Sequence, residues 1–463
     1  MYWWLYASRA ISTTYNRLFE FAVPVMFATI WENTFVYAAI FDFFVYVLCA
    51  ITMPKIADLV VAKYDRLNVM YVVIASRNVA MICTVLLLYF VSVSWSAVRV
   101  ACYVCLLVSG TIADISSRAN TIAIEKDWIP TLLLSSDDDD KESSRSKLSK
   151  MNATIRRIDL CGKLVAPFLF GLVFDAFHSP ESKIRVGLLF VIGYVVFASI
   201  PEIYTLRQVY KKSPVLYSKI QCLLDDDTSM IDKTPSFTQA WRTYFKQNLL
   251  FASIACGMLY ANILSSGSIM TQYLVSNEIP LSQIGGFHGL GALFGIFGTL
   301  IWPRFRNLSK SLSRAGECSI VTFAIMMCLC GLVFVLNIDS TTRVYVMMIS
   351  VAVSRLPVWT FDLMITQLLQ DHVHSSVRGV VSGCHVSVFT FFNITIYALT
   401  IVFHKANEFS NLVYISVSFV VAAAIMFVTW RAFLLKEKES CDTDDSDESK
   451  ETTTSYISLL ERS

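Results

Sequence analysis

A chain of 463 residues with 55% hydrophobic and only 16% charged residues, and a mean hydropathy of +0.56, is too apolar for a soluble globule of that size. The net charge of +2 comes with no separate basic domain, so nothing points to a nucleic-acid partner. The class that remains is an all-α membrane protein.

Taken in chain order, about twelve apolar segments approach the length needed to cross a bilayer. They run approximately 14–31, 34–54, 68–93, 95–123, 152–178, 183–206, 247–275, 281–303, 313–336, 343–370, 376–404 and 409–437. Alternate loops hold most of the basic residues, among them Lys55, Lys63 and Arg66, then Lys126, Lys141 and Arg145, then Lys211, Lys212 and Lys219. Arg304, Arg306, Lys310 and Arg314, then Lys436 and Lys438, complete that set. The intervening loops carry little beyond Arg99, Lys183, Arg185, Arg343 and Lys405. The positive-inside rule then places both termini in the cytoplasm. No basic start followed by a short apolar core opens the chain, so no cleavable signal peptide is expected.

The organisation predicted is a six-helix half over 1–206, a linker over 207–246, a second six-helix half over 247–437 and an acidic tail over 438–463. The linker, with Asp225-Asp226-Asp227 and the Thr234-Pro235 step, reads as flexible. Two such halves suit a rocking transporter with its site near mid-membrane. Asp58 with Asp65-Arg66 resembles the charged loop motif of major facilitators, whereas its counterpart loop, Arg304 to Arg314, is only basic.

Asp137 to Asp140 lack the spaced ligands and turn glycine of a calcium loop and read as a solvated acidic loop. The Ser/Thr-rich tail from Glu439 is expected to be disordered, and its Tyr456-Ile457-Ser458-Leu459 has the form of a sorting signal. The twelve cysteines are scattered, mostly within apolar runs; Cys102 and Cys105 have CxxC spacing but no second pair, and read as small buried hydrophobes. The sequons at Asn152, Asn307 and Asn393 fall on cytoplasmic or membrane positions and predict no glycan.

The densest chemistry lies between Ala119 and Asp159. The fourth segment ends in a charged knot, Glu125, Lys126, Asp127 and Trp128, and the fifth opens with Arg156, Arg157 and Asp159. Arg156 and Asp159 share a helix face, and charges at such a threshold pair or line a water-filled cavity.

That stretch, MNATIRRID with the preceding KDW, resembles the fourth and fifth transmembrane helices of ferroportins, the cellular iron exporters of the major facilitator type. WTFDLMITQLLQ (Trp359 to Gln370), Arg378-Gly379 and ISVSF near Ile415 resemble that family too, and the likeness covers nearly the whole chain. The resemblance implies export of Fe(II) or another divalent cation by alternating access, in the plasma membrane, with no tightly bound cofactor. It also implies two metal sites, one per half.

At the family's first site, an Asp and a His one turn apart, this chain carries Asn16 and Glu20. At the second, the family's Cys, Asp and His positions read Ser268, Asn393 and Ile396. Only Glu20 is a strong ligand. Asn16 and Glu20 form either an oxygen site for a hard cation or a polar pair at the mouth of the first helix. His385, Cys256 and His288 read as packed or interfacial residues rather than relocated ligands. Without a thiolate or imidazole at the second site, binding of the peptide hormone hepcidin is not expected.

Asp114 and Arg118, one turn apart on the fourth helix, form a ready ion pair, functional or structural. Arg77 stands where relatives carry an amide, beside Asn78, which matches them. Asp127, Asn152, Arg156, Asp159, Arg355 and Asp362 match what resembles the family's inner polar gate, or else are helix-end salt bridges; Leu160 replaces a glutamine of that network. Three functions remain open: a divalent-cation exporter, a transporter of another solute, or a non-transporting regulatory paralogue. An enzyme is not expected, for want of a nucleophile–base pair, phosphate loop or closed metal motif.

Overall fold

Helix α1 (Tyr2–Ile30) starts well before residue 14, where the apolar pattern begins. Arg9, Ser12 and Thr13 interrupt the hydropathy, but all three are buried, so packing inside the protein sustains the helix where hydropathy does not. The computed structural model describes residues 2–58, 65–93, 96–134, 141–217, 237–308, 311–336, 338–373 and 375–443.

The helices that follow are α2 (Val36–Asp58), α3 (Arg66–Val93), α4 (Ser96–Ile122), the short α5 (Ile129–Leu134), α6 (Lys141–Asp175) and α7 (Pro180–Lys211). Then come α8 (Phe237–Phe245), α9 (Leu250–Met258), α10 (Ser268–Ser276), α11 (Leu281–Leu308), α12 (Leu312–Val335), α13 (Ser340–His372), α14 (Ser375–Val402) and α15 (Phe409–Thr443). Nine of the described helices are long and apolar enough to cross a membrane. The other three predicted segments are α1 and α6, which carry charges, and the seventh, which is broken between α9 and α10.

Ends are set by local chemistry. Ser179 accepts the Ser182 amide ahead of Pro180 at the start of α7. Asp339 accepts the Thr342 amide at 2.8 Å to cap α13, and that bond holds its carboxyl below the usual range. Asn33 and Glu278 take left-handed backbone, φ 63° and 59°, in the turns before α2 and α11.

The chain divides into two compact units. The first comprises 1–230 with 271–289, the second 231–270 with 290–463. In the first, α1 packs on α6 and α7, α3 on α4 and α7, and α2 on α4. One end of its core is built round Trp128, with Leu5, Ile74, Ile155 and Leu206. The start of α11 belongs to this unit. A Cβ at Gly171 would lie 2.5 Å from the Leu281 carbonyl oxygen, and one at Gly285 2.6 Å from that of Pro167, so only glycine permits the α6–α11 approach. The Asp175 carboxylate accepts the Leu281 and Ser282 amides at 3.0 and 2.7 Å and caps α11 from α6.

In the second unit α12 packs on α13 and α15, and α9 on α14 and α15. The predicted flexible linker is helical at both described ends, α7 running to Lys211 and α8 occupying 237–245, while α15 extends to Thr443, past the predicted start of the tail. The runs Asp137–Asp140 and Asp225–Asp227, the Thr234-Pro235 step and Tyr456–Leu459 lie outside the described residues, as do the side chains of Asp58, Asn152, Asn307 and Arg378.

Candidate functional site

Arg9, Thr13, Asn16 and Glu20 recur at intervals of three and four along α1, one polar stripe on an otherwise apolar helix. Asn16 falls at the middle of α1, since the helix begins at Tyr2. Its Oδ1 is buried without a hydrogen-bond partner, as is Thr13 Oγ1. Glu20, one turn on, keeps 55% of its side chain exposed and accepts from Arg17 Nη1 at 2.5 Å. The same guanidinium reaches α6 through Nη2, 2.6 Å from Asp159 Oδ1. Asp159 also faces Lys163 at 3.8 Å. Arg17 thus forks between two carboxylates on two helices.

Below this fork is a cavity of about 280 Å³ lined by Arg9, Arg17, Thr121, Glu125, Ile155, Arg156 and Asp159. Arg156 and Asp159, placed on one helix face from the sequence, share this cavity, and Asp159 pairs with Arg17. Arg9 donates to Thr121 Oγ1 at 3.0 Å and to Glu125 Oε1 at 3.4 Å, and its Nε is buried without a partner.

The charged knot after α4 is a π-turn, Ala123–Trp128, whose wider winding aims Glu125 at Arg9 and Asp127 at Arg66. Arg66 grips both Asp127 oxygens at 2.9 Å and also donates to the Leu216 carbonyl and to Thr131. Asp65, beside it, accepts from Tyr210 at 2.7 Å.

Arg77 is fully buried, and its partner is Glu202 on α7, 2.7 and 2.8 Å away and 1% exposed. Tyr15 donates to the same carboxylate and lies under the guanidinium at 4.4 Å. Ser12 accepts from Arg77 and from Asn120, so α1, α3, α4 and α7 meet at one polar knot. Asp114 and Arg118 do pair, at 2.6 Å, with Cys49 donating to the carboxylate and Tyr46 under the guanidinium.

In the second unit the broken seventh segment is satisfied residue by residue. Asn262 accepts the Leu264 amide at 2.8 Å, Ser416 accepts that of Ile263 at 3.1 Å, and Arg355 donates to the Leu264 carbonyl at 2.7 Å. Arg355 therefore holds freed backbone. Asp362 is half-buried two turns further along α13. Ser268 opens α10, Asn393 donates to the Phe389 carbonyl at 3.1 Å, and Ile396 is buried on α14. His385 bonds Ser253 at 2.5 Å, Cys256 is buried, and His288 meets Phe21 and Thr271. Among the described residues no three His, Cys, Asp or Glu side chains are grouped to hold a metal ion.

The sequence reading missed Arg9, Arg17 and Glu202 as site residues, and named Glu125 only as part of the charged knot. Glu202 had a visible signal, the one carboxylate inside the apolar run after Arg185, directly behind Pro201.

The family model described as Ferroportin1 matches residues 1–420. The chain is 27% identical to solute carrier family 40 member 1 of Oryza sativa subsp. japonica, over 91% of this chain and 89% of that one. It is 26% identical to ferroportin of Homo sapiens, over 96% and 94%. A bacterial homologue of the iron transporter ferroportin, solved in an inward-facing state, superposes with a TM-score of 0.76 at 21% identity, covering 92% of this chain and 97% of that one. The all-α architecture is thus the major facilitator fold. With the family model spanning most of its length, the chain belongs to the ferroportin family.

Proposed function

We propose that this protein moves a divalent cation, Fe(II) or a harder ion, across the membrane by alternating access, with both termini in the cytoplasm. The observation that carries the reading is the α1 stripe, where a buried, unpartnered Asn16 oxygen lies one turn from a carboxylate held only by Arg17 among the pairs described. A cation entering there takes the Asn16 and Glu20 oxygens and moves Arg17 wholly onto Asp159. Loading would thereby tighten the α1–α6 bridge, a differential contact of the kind that biases one conformation over another. Oxygen ligands suit the harder ions Mn(II) and Ca(II) better than Zn(II).

Metal flux with the purified protein in liposomes, across Fe(II), Co(II), Mn(II) and Zn(II), tests this. Glu20→Gln should depress flux more than Asn16→Ala, since it removes the one charged ligand. Equal flux in the wild type and Glu20→Gln would dismiss the site. Ser268, Asn393 and Ile396 at the second-half positions, with no group of three His, Cys, Asp or Glu side chains among the described residues, favour a second reading, a transporter of another solute, if no metal moves at all.

A further inference from the structure

Helix α8, FTQAWRTYF, lies at the start of the second unit ahead of α9 and is too short to span a membrane. Its aromatics recur at i, i+4 and i+8. Phe237 packs edge-on against Trp241 at 6.2 Å, and Trp241 packs tilted against Phe245 at 5.6 Å. Phe237 and Phe245 are nonetheless 79% and 57% exposed. Round the helix, Tyr244 and Ala240 face the protein, the three aromatics form the adjoining arc, and Gln239 and Arg242 occupy the far side, with Lys246 just beyond the C-terminus.

Two observations fix where α8 lies. Four residues separate it from α9, at most about 17 Å of chain for the five steps from Phe245 to Leu250. Tyr244 is buried and shares a 2.6 Å hydrogen bond with Ser253 in the first turn of α9, and Ser253 in turn meets His385 of α14 at 2.5 Å. The helix is thus pinned beside the start of an apolar segment, where water gives way to lipid.

We propose that α8 is an interfacial helix of the same bilayer, its Phe237–Trp241–Phe245 arc embedded at the headgroup–acyl boundary and its basic residues turned to anionic headgroups. Burial against protein accounts for Tyr244 and not for the two exposed phenylalanines, and Phe251 on the adjoining α9 is likewise 55% exposed. Aromatic rings with a neighbouring Arg and Lys are the composition that seats at a lipid surface, and apolar area plus attraction to anionic lipid supplies the affinity. Tyr244 then ties the membrane surface to α9 and α14 through one buried hydrogen-bond chain.

The test is photocrosslinking with benzoylphenylalanine, placed singly at Phe237, Phe245, Gln239 and Phe251 of the full chain in phosphatidylcholine vesicles with and without phosphatidylglycerol. Lipid adducts are expected at Phe237, Phe245 and the control Phe251, and none at Gln239. Phosphatidylglycerol should raise the yield at Phe237 and Phe245 but not at Phe251. Adducts to protein, or no adduct, at both Phe237 and Phe245 while Phe251 labels lipid would overturn the proposal. Equal lipid labelling at Gln239 and Phe245 would overturn it too, because the helix would then have no oriented face.

Discussion

Arg77 on α3 and Glu202 on α7 form an ion pair in which one guanidinium nitrogen, Nη2, meets both carboxylate oxygens, with both side chains essentially inaccessible to solvent. An isolated charge at such a place is very expensive, and here each charge is the reason the other is tolerated. Removing one partner by Arg77→Leu or Glu202→Leu should lower stability by roughly 3–5 kcal/mol, while the double change should fall well short of the sum. Thermal unfolding in detergent of the wild type, the two single variants and the double variant measures this. Additive single effects would mean the two charges do not support each other.

Arg17 holds Glu20, so under the proposed function it competes with the cation for that carboxylate. Arg17→Gln should therefore tighten apparent Mn(II) binding by up to about fivefold, the equivalent of the roughly 1 kcal/mol that a part-exposed pair contributes. It should also loosen α1 from Asp159, so flux falls although binding improves. Calorimetry and liposome flux on the same preparation separate the two effects, and unchanged affinity would remove Arg17 as a competitor.

The cap that Asp175 provides to α11 crosses from one helix to another. Asp175→Ala should cost about 1 kcal/mol, as loss of a helix cap does. Gly285→Val should do more, since its Cβ meets the Pro167 carbonyl, which no side-chain rotation relieves. Hydrogen exchange over 281–289 reads both, and protection unaltered in Gly285→Val would refute the close approach.

Arg355 holds the Leu264 carbonyl in the broken seventh segment. Arg355→Ala should raise exchange over 259–267, and Arg355→Lys should restore part of the protection because a single donor suffices for one carbonyl. If exchange changes at Asp362 instead, the arginine acts in a gate along α13.

At the second-half positions Ser268, Asn393 and Ile396 offer a hydroxyl, an amide and an alkyl chain where the resemblance implies a Cys, an Asp and a His. Hepcidin should neither bind this chain nor slow its transport. Combining Ser268→Cys with Ile396→His should create Co(II) affinity that neither change supplies alone, detectable by the cobalt–thiolate absorption band. Tight hepcidin binding to the unmodified protein would show that the helix alignment is wrong.

Hydropathy and motif were enough for the membrane class, twelve apolar segments and the family, because bilayer thickness imposes a length and MNATIRRID a local signature. They also located the charged threshold at Glu125–Asp127 and Arg156–Asp159, since charges beside apolar runs stand out in composition. Pairing was not legible there. Arg77 was visible as an intramembrane charge, but its partner lies 125 residues away in sequence. Nothing along the chain says that Arg66 serves Asp127, or that Arg17 spans Glu20 and Asp159.

The start of α1 was missed because Arg9, Ser12 and Thr13 lower the hydropathy of a stretch that only tertiary burial makes helical. The break in LYANILSSGSIM was missed for the converse reason: the run is apolar enough to continue, and Arg355, Asn262 and Ser416 together satisfy the unwound backbone. Sequence determined which residues were chemically out of place in a membrane. Tertiary structure decided what each of them holds, because a charge in a low-dielectric interior is stable only beside a partner that folding brings to it.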